Sequence, residues 1–247
     1  MQPQWYDTFF RGIAVDFWRT AIPQAYTDAE VDFLSKTLST GAGRRLLDVP
    51  CGTGRHLIPL AKRGFHMTGV DISDECLAAT RSDAGSIAIE LRQADMRDLP
   101  FNAEFDGAYC CGNSFGYMSP AGAVDFLAAV HRTLKPGARF VLETGMAAES
   151  ILPTLLPGRE MEAGEITVRS ETKYDAGDSR LDIDYTFERA GVSETRGSSH
   201  YVMTVSEIRR LLEAAGFSIE SINGEMAEAS PYQLRSPRLV IVGRRIR

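Results

Sequence analysis

A doubly wound α/β fold is what this sequence predicts: a mostly parallel seven-stranded sheet carrying an inserted antiparallel sheet of three strands. Three observations lead there. Between Arg44 and Thr144 short apolar runs alternate with helical stretches, the pattern of strands buried on both faces in repeated β-α units. From about Gly164 to Met203 the period drops to two, as in Leu181, Ile183, Tyr185 and Phe187. A last helical stretch then leads into two closing apolar runs.

Taken in order, the aromatic series Trp5, Tyr6, Phe9, Phe10, Phe17 and Trp18 has helical spacing with one apolar face. A second helix is expected over Asp28–Leu38, with Thr27 as N-cap and Val31, Leu34 and Leu38 inward. Gly41-Ala42-Gly43 breaks the chain. Strands are expected at Arg45–Val49, Phe65–Val70, Ala88–Gln93, Phe105–Cys111 and Arg139–Thr144. Helices are expected between them at Arg55–Arg63, Asp74–Ala84 and Ala121–Thr133. Asp175–Asp178 and Ala190-Gly191 read as hairpin turns in the inserted sheet. A helix over Ser206–Ala215, stopped by Gly216, precedes strands near Phe217–Asn223 and Arg238–Gly243. The expected organisation is a single domain over 1–247. It comprises a helical cap (1–43), a ligand-binding core (44–150), an antiparallel insertion (about 160–203) and completion of the main sheet (204–247).

The 247 residues are 44% hydrophobic and 24% charged, which excludes disordered and collagen-like classes. No apolar run approaches the roughly 18 residues of a membrane span. The opening Met1–Asp7 lacks the order of a signal peptide, so the expected location is cytoplasmic, without membrane contact. A formal net charge of −6 argues against nucleic acid as the partner, although Arg238, Arg244, Arg245 and Arg247 gather at the end. Cys51, Cys76, Cys110 and Cys111 have no zinc-like spacing and are expected as reduced thiols, with no metal.

The chemistry is concentrated in Leu46–His56, where a strand, a glycine turn and a helix start follow one another. Ligands of open α/β sheets bind at the carboxyl ends of the strands. Gly52 and Gly54 let a ligand lie against the backbone, and the N–H groups opening the helix face an anion. Such a turn also occurs in nicotinamide and flavin sites. Asp48 ends the first strand, Asp71 the second, Asp95-Met96 follows the third, and Leu134-Lys135-Pro136-Gly137 precedes the fifth. An acid such as Asp71 suits two ribose hydroxyls, and Asp48 suits an ammonium.

With these residues in place the chain resembles the class I S-adenosylmethionine-dependent methyltransferases, a Rossmann-like family. Leu46–Gly54 looks like that family's first motif, Val70–Ser73 its second, Ala94–Met96 its third and Phe105–Tyr109 its fourth strand. Pro50 stands where the family usually has a glycine, and proline has no N–H to offer a ligand. The run Asp48-Val49-Pro50-Cys51-Gly52-Thr53-Gly54 is similar to a small-molecule branch of the family in which this proline recurs.

The resemblance implies S-adenosyl-L-methionine as cofactor and N- or O-methylation of a small molecule by in-line displacement, by a monomer or homodimer. It places Asp48, Gly52 and Gly54, with Pro50, Cys51, Thr53 and Arg55, around the methionine part. It places Asp71 and Ile72 at the ribose and adenine, Asp95 and Met96 at the base, and Cys111, Gly112 and Asn113 at the junction with the acceptor. On the acceptor side Phe115 and Tyr117 are expected beside the sulfonium or the acceptor, with Tyr6 and Phe10 closing the pocket. His200, Glu143 and Tyr117 are the candidates for the chemical step, and Tyr232 is a more distant one. His56, His66 and His131 are read as structural. One alternative is an NAD-linked oxidoreductase, opposed by Leu57 at the third glycine position. Another is a non-catalytic S-adenosylmethionine-binding regulatory module.

Overall fold

The computed structural model describes residues 4–38, 43–227 and 230–246. Met1–Pro3, the predicted break at Gly41-Ala42 and the terminal Arg247 lie outside the described residues. The chain opens with helices α1 (Tyr6–Phe9), α2 (Ile13–Ala21) and α3 (Gln24–Leu38). It continues through β1 (Arg45–Asp48), α4 (Leu57–Lys62), β2 (His66–Asp71), α5 (Asp74–Ala84), β3 (Glu90–Gln93) and β4 (Phe105–Cys110). Then come α6 (Pro120–Thr133), β5 (Leu134–Thr144) and the short α7 (Ala148–Ile151). The inserted sheet is β6 (Gly158–Ala163), β7 (Ile166–Asp175), β8 (Arg180–Arg189) and β9 (Val192–Tyr201). The chain ends with α8 (Val205–Ala214), β10 (Phe217–Asn223) and β11 (Leu239–Arg245).

The main sheet has seven strands in the order β10-β11-β5-β4-β1-β2-β3, with β11 antiparallel to both neighbours. Strand β1 sits between β2 and β4, so the chain reverses its direction of winding there and opens a crevice at the carboxyl ends of these strands. One face carries Val31 and Leu34 of α3 with Leu57 and Leu60 of α4. The other carries Phe126 and Leu127 of α6 with Ile208 and Leu212 of α8. Both faces are therefore dry, which is why the strands read as apolar runs. No helix among the described residues is long and apolar enough to cross a membrane.

Local chemistry sets most boundaries. Ser73 caps α5, its hydroxyl accepting from Cys76 N, and Thr204 with Glu207 forms a capping box at α8. Helix α3 begins four residues earlier than Asp28, just after Pro23, a residue suited to opening a helix. Thr27 is therefore no cap; it lies inside the helix, and its hydroxyl accepts from Arg55 Nη1. Strand β5 begins at Leu134, so Leu134–Gly137, expected ahead of the strand, are its irregular start, marked by a register shift against β4. The insertion gains a fourth strand, β6, whose partly exposed run Gly158–Ala163 shows little apolar alternation.

The insertion does not stand apart. Phe9, Ile13 and Phe17 of the first two helices pack on Ile166, Val168 and Phe187 of its inner face. Gly69 in β2 shows how tightly the main sheet is covered. A Cβ there would lie 2.5 Å from Leu57 Cδ1 and 2.8 Å from Cys51 Sγ. Gly69→Ala is expected to lower stability by about 1–3 kcal/mol through overpacking. An unchanged urea midpoint would show that α4 can shift to make room.

Candidate active site

The crevice at β1, β2 and β4 opens into a cavity of about 520 Å³, within the range of small-molecule sites. Its floor is the segment after β1. Val49 N donates to Tyr109 O (3.1 Å) and Cys51 N to Val70 O (2.9 Å), tying the turn to both neighbouring strands. The Val49–Pro50 bond is cis, and Pro50, Cys51, Gly52, Thr53 and Arg55 all line the cavity. Gly52, at φ 52°, donates its N–H to Asp71 Oδ2 (2.7 Å), and Ser73 N donates to Asp71 Oδ1 (2.9 Å). One carboxylate thus fixes the glycine turn and the start of α5 while keeping a lone pair on each oxygen for a ligand. Burial raises the Asp71 pKa, against the pull of those N–H groups.

Asp48 lies deeper. Burial pushes its pKa well above the carboxylate range, opposed by the Tyr109 hydroxyl and, at longer range, Arg55. A ligand ammonium would supply the compensating charge. Asp95 and Met96 line the cavity with Ile72, as expected, but Asp95 is already held by Arg97. That contact keeps Asp95 below its usual pKa in spite of burial. Gly54 does not line the cavity. At φ 78° its added Cβ would meet Thr80 Cγ2 at 2.7 Å, so this glycine serves the contact between α4 and α5.

After β4, Cys111, Gly112 and Asn113 reach the cavity. Gly112 N donates to Glu143 Oε2 (2.8 Å), and Asn113, in the left-handed region at φ 73°, accepts from Gly145 N (2.7 Å). Glu143 is 1% exposed, and its other oxygen accepts from Arg238 Nε. Both oxygens are engaged and the residue is not among the cavity walls, so Glu143 as it stands holds Gly112 and Arg238 in place. Phe115 also turns away, into the core against Phe126, because the 3-10 turn Ser114–Tyr117 sends it inward while Tyr117 faces the cavity. Tyr232 is absent from the cavity walls and hydrogen-bonds Ser150 instead (2.6 Å).

The roof is aromatic. Trp5, Tyr6, Phe9 and Phe10 come from the first helix and its flanks, Tyr117 from the turn after β4, and Tyr185 and His200 from the insertion. Ring centroids of Trp5 and Tyr117 are 4.6 Å apart, of Tyr117 and His200 5.2 Å, and of Trp5 and His200 5.7 Å. The opening segment is anchored over the floor: Ser73 Oγ donates to Phe10 O (3.0 Å) and Gly12 N to Glu75 Oε1 (2.6 Å). His200 Nε2 is 3.3 Å from Ser198 Oγ, and Nδ1 has no protein partner.

Burial depresses the His200 pKa to about 4. The native state therefore binds fewer protons than the unfolded chain between the two pKa values. The associated stability is fully present above about pH 6.5 and is lost as pH falls towards 4, by about 3 kcal/mol. His56 is also lowered by burial, while Asp48 and Asp71 act in the opposite sense, so the useful quantity is a difference between variants. His200→Gln is expected to remove this share of the acid dependence in urea titrations. Parallel pH profiles for the two proteins would refute it.

Glu30, Tyr26, Trp18, Tyr185, Ser198 and Arg238 also border the cavity, although no motif in the sequence marks them. Buried Glu30 accepts from Arg55 Nη1 and lies 3.0 Å from His56 Nε2, so α3 is locked to the glycine turn and His56 does serve structure.

Comparison with known proteins resolves the choice between nicotinamide and S-adenosylmethionine. The profile of the methyltransferase domain matches residues 46–137. A glycine/sarcosine N-methyltransferase of Parasynechococcus marenigrum is 30% identical over 217 residues, covering 82% of this chain and 73% of that protein. The chain belongs to the S-adenosylmethionine-dependent methyltransferases. The match to YqeM of Bacillus subtilis, 38% identical over 95 residues, spans only 37% of the methyltransferase and 38% of that relative. An S-adenosylmethionine-dependent methyltransferase structure from Clostridium acetobutylicum superposes with a TM-score of 0.78, at 17% identity, over 94% of this methyltransferase and 96% of that chain. The cofactor is S-adenosylmethionine, and the oxidoreductase and non-catalytic readings find no support. The floor fits it: Asp48 for an ammonium, Asp71 for ribose hydroxyls, and Ile72 and Met96 for a purine.

Proposed function

We propose that this methyltransferase methylates the amine nitrogen of a small molecule with an apolar body, held beneath the aromatic roof. The observation that carries the reading is His200, a buried neutral imidazole among Trp5 and Tyr117 whose Nδ1 is without a protein partner. With Nε2–H donating to Ser198, Nδ1 is the ring's remaining acceptor, and an acceptor N–H that reaches it turns the amine lone pair towards the methyl group. S-adenosylmethionine supplies that methyl as an electrophile on a positively charged sulfur. The chain's own contribution is alignment and exclusion of water.

An amine is favoured over an alcohol by basicity. An alcohol must lose its proton as it attacks, and a base with a pKa of about 4 is too weak to take it at neutral pH. A neutral amine carries a free lone pair and needs only orientation, and the roof favours the uncharged form by desolvation. Tyr117, its own pKa raised by burial, stays a neutral wall. The glycine/sarcosine relative, whose name records nitrogen as its target, supports the choice of atom.

The test is transfer of labelled methyl from S-adenosylmethionine to a panel of small aromatic amines and their matched alcohols. Amines are expected to be methylated, and His200→Ala to lower kcat/KM by about 100-fold while S-adenosylhomocysteine affinity holds. Methylation of the alcohols alone would overturn the assignment.

A further inference from the structure

Beyond the motif residues, one end of the cavity carries a guanidinium from far along the chain. Arg238 lies just before β11 and lines the cavity with Asp48, Cys111 and Gly112. Tyr26 stands at the same place, close enough for Arg238 to be the main charge opposing the rise of its pKa. Glu30 is felt there too. The cavity therefore offers both a buried carboxyl, Asp48, and an arginine. An α-amino acid zwitterion requires such a pair.

We propose that Arg238, with Tyr26 beside it, grips the α-carboxylate of the cofactor's methionine moiety while Asp48 takes the ammonium. The hydrogen-bonding pattern distinguishes Arg238 from Arg55. Arg238 spends Nε on Glu143, which leaves the Nη1/Nη2 end for the two-pronged contact that suits a carboxylate. Arg55 spends Nη1 on both Thr27 and Glu30, so its end-on fork is broken and only its Nε/Nη2 edge is left. Glu143 does not repel the incoming carboxylate strongly, because its oxygens are committed to Arg238 and to Gly112 N. Glu143 is thereby the positioning residue for both Arg238 and the Gly112 backbone. The arrangement makes the last crossover, outside residues 46–137, part of cofactor selection.

The experiment compares S-adenosylmethionine with decarboxylated S-adenosylmethionine, which keeps the ammonium and lacks only the carboxylate, by calorimetry. No acceptor is present, so the amine reading can fail without affecting this result. Wild type is expected to prefer the carboxylated ligand by at least about tenfold. The paired variant E143Q/R238Q, which leaves no lone buried charge, is expected to bind both ligands within about twofold of each other. Arg238→Lys, which replaces the fork by a point charge, is expected to lose at least about threefold of the preference and serves if the paired variant does not fold. Equal affinities in wild type, or a full preference retained in the folded variant, would overturn the assignment.

Discussion

Glu143→Ala is expected to lower stability by about 3–5 kcal/mol, because it breaks a buried ion pair and strands the charge of Arg238. The Gly112 N–H loses its acceptor in the same change. For a chain of this size the loss corresponds to a fall in Tm of about 10 °C. Glu143→Gln keeps the volume and one acceptor and is expected to cost clearly less. A thermal scan in which both variants match wild type would mean that the Glu143–Arg238 contact contributes nothing to the fold.

Asp71→Ala is expected to weaken S-adenosylhomocysteine binding by about 100-fold, through loss of a charged acceptor for the ribose hydroxyls and slackening of the glycine turn. Two backbone donors, Gly52 N and Ser73 N, are left without partners, so stability also falls by about 2–4 kcal/mol. Asp71→Asn separates these effects. It retains one acceptor oxygen, and its amide N–H faces a donor, so it is expected to lie between wild type and Asp71→Ala in affinity. Calorimetry showing wild-type affinity for Asp71→Ala would remove this residue from the site.

The floor was legible in the sequence because it is local. Asp48, Asp71 and Asp95 each follow or end a strand within 50 residues of one another, and strand ends are where such sheets bind. The roof was only partly legible. His200, Tyr117, Tyr6 and Phe10 were identified as candidates by type and place, but Tyr185, Ser198 and Trp18 look like ordinary alternating or helical positions until the insertion folds over the crevice. Arg238 and Glu30 could not be found locally, since each is defined by a partner 95 and 25 residues away, respectively. Phe115 and Gly54 are expected at the ligand from motif spacing alone, whereas the neighbours they meet in the structure, Phe126 and Thr80, come from other helices.

The packing of Phe9 and Phe17 on Phe187 couples the chain's opening helices to a hairpin about 170 residues later. Roof and insertion are thereby one interchangeable lid piece, built largely from residues outside 46–137, while the floor stays within that segment apart from Arg238. On the proposed reading, exchanging rings such as Trp5 and Tyr185 alters acceptor preference while the floor residues Asp48 and Asp71 stay unchanged. In an engineering setting those two surfaces can be varied as separate libraries.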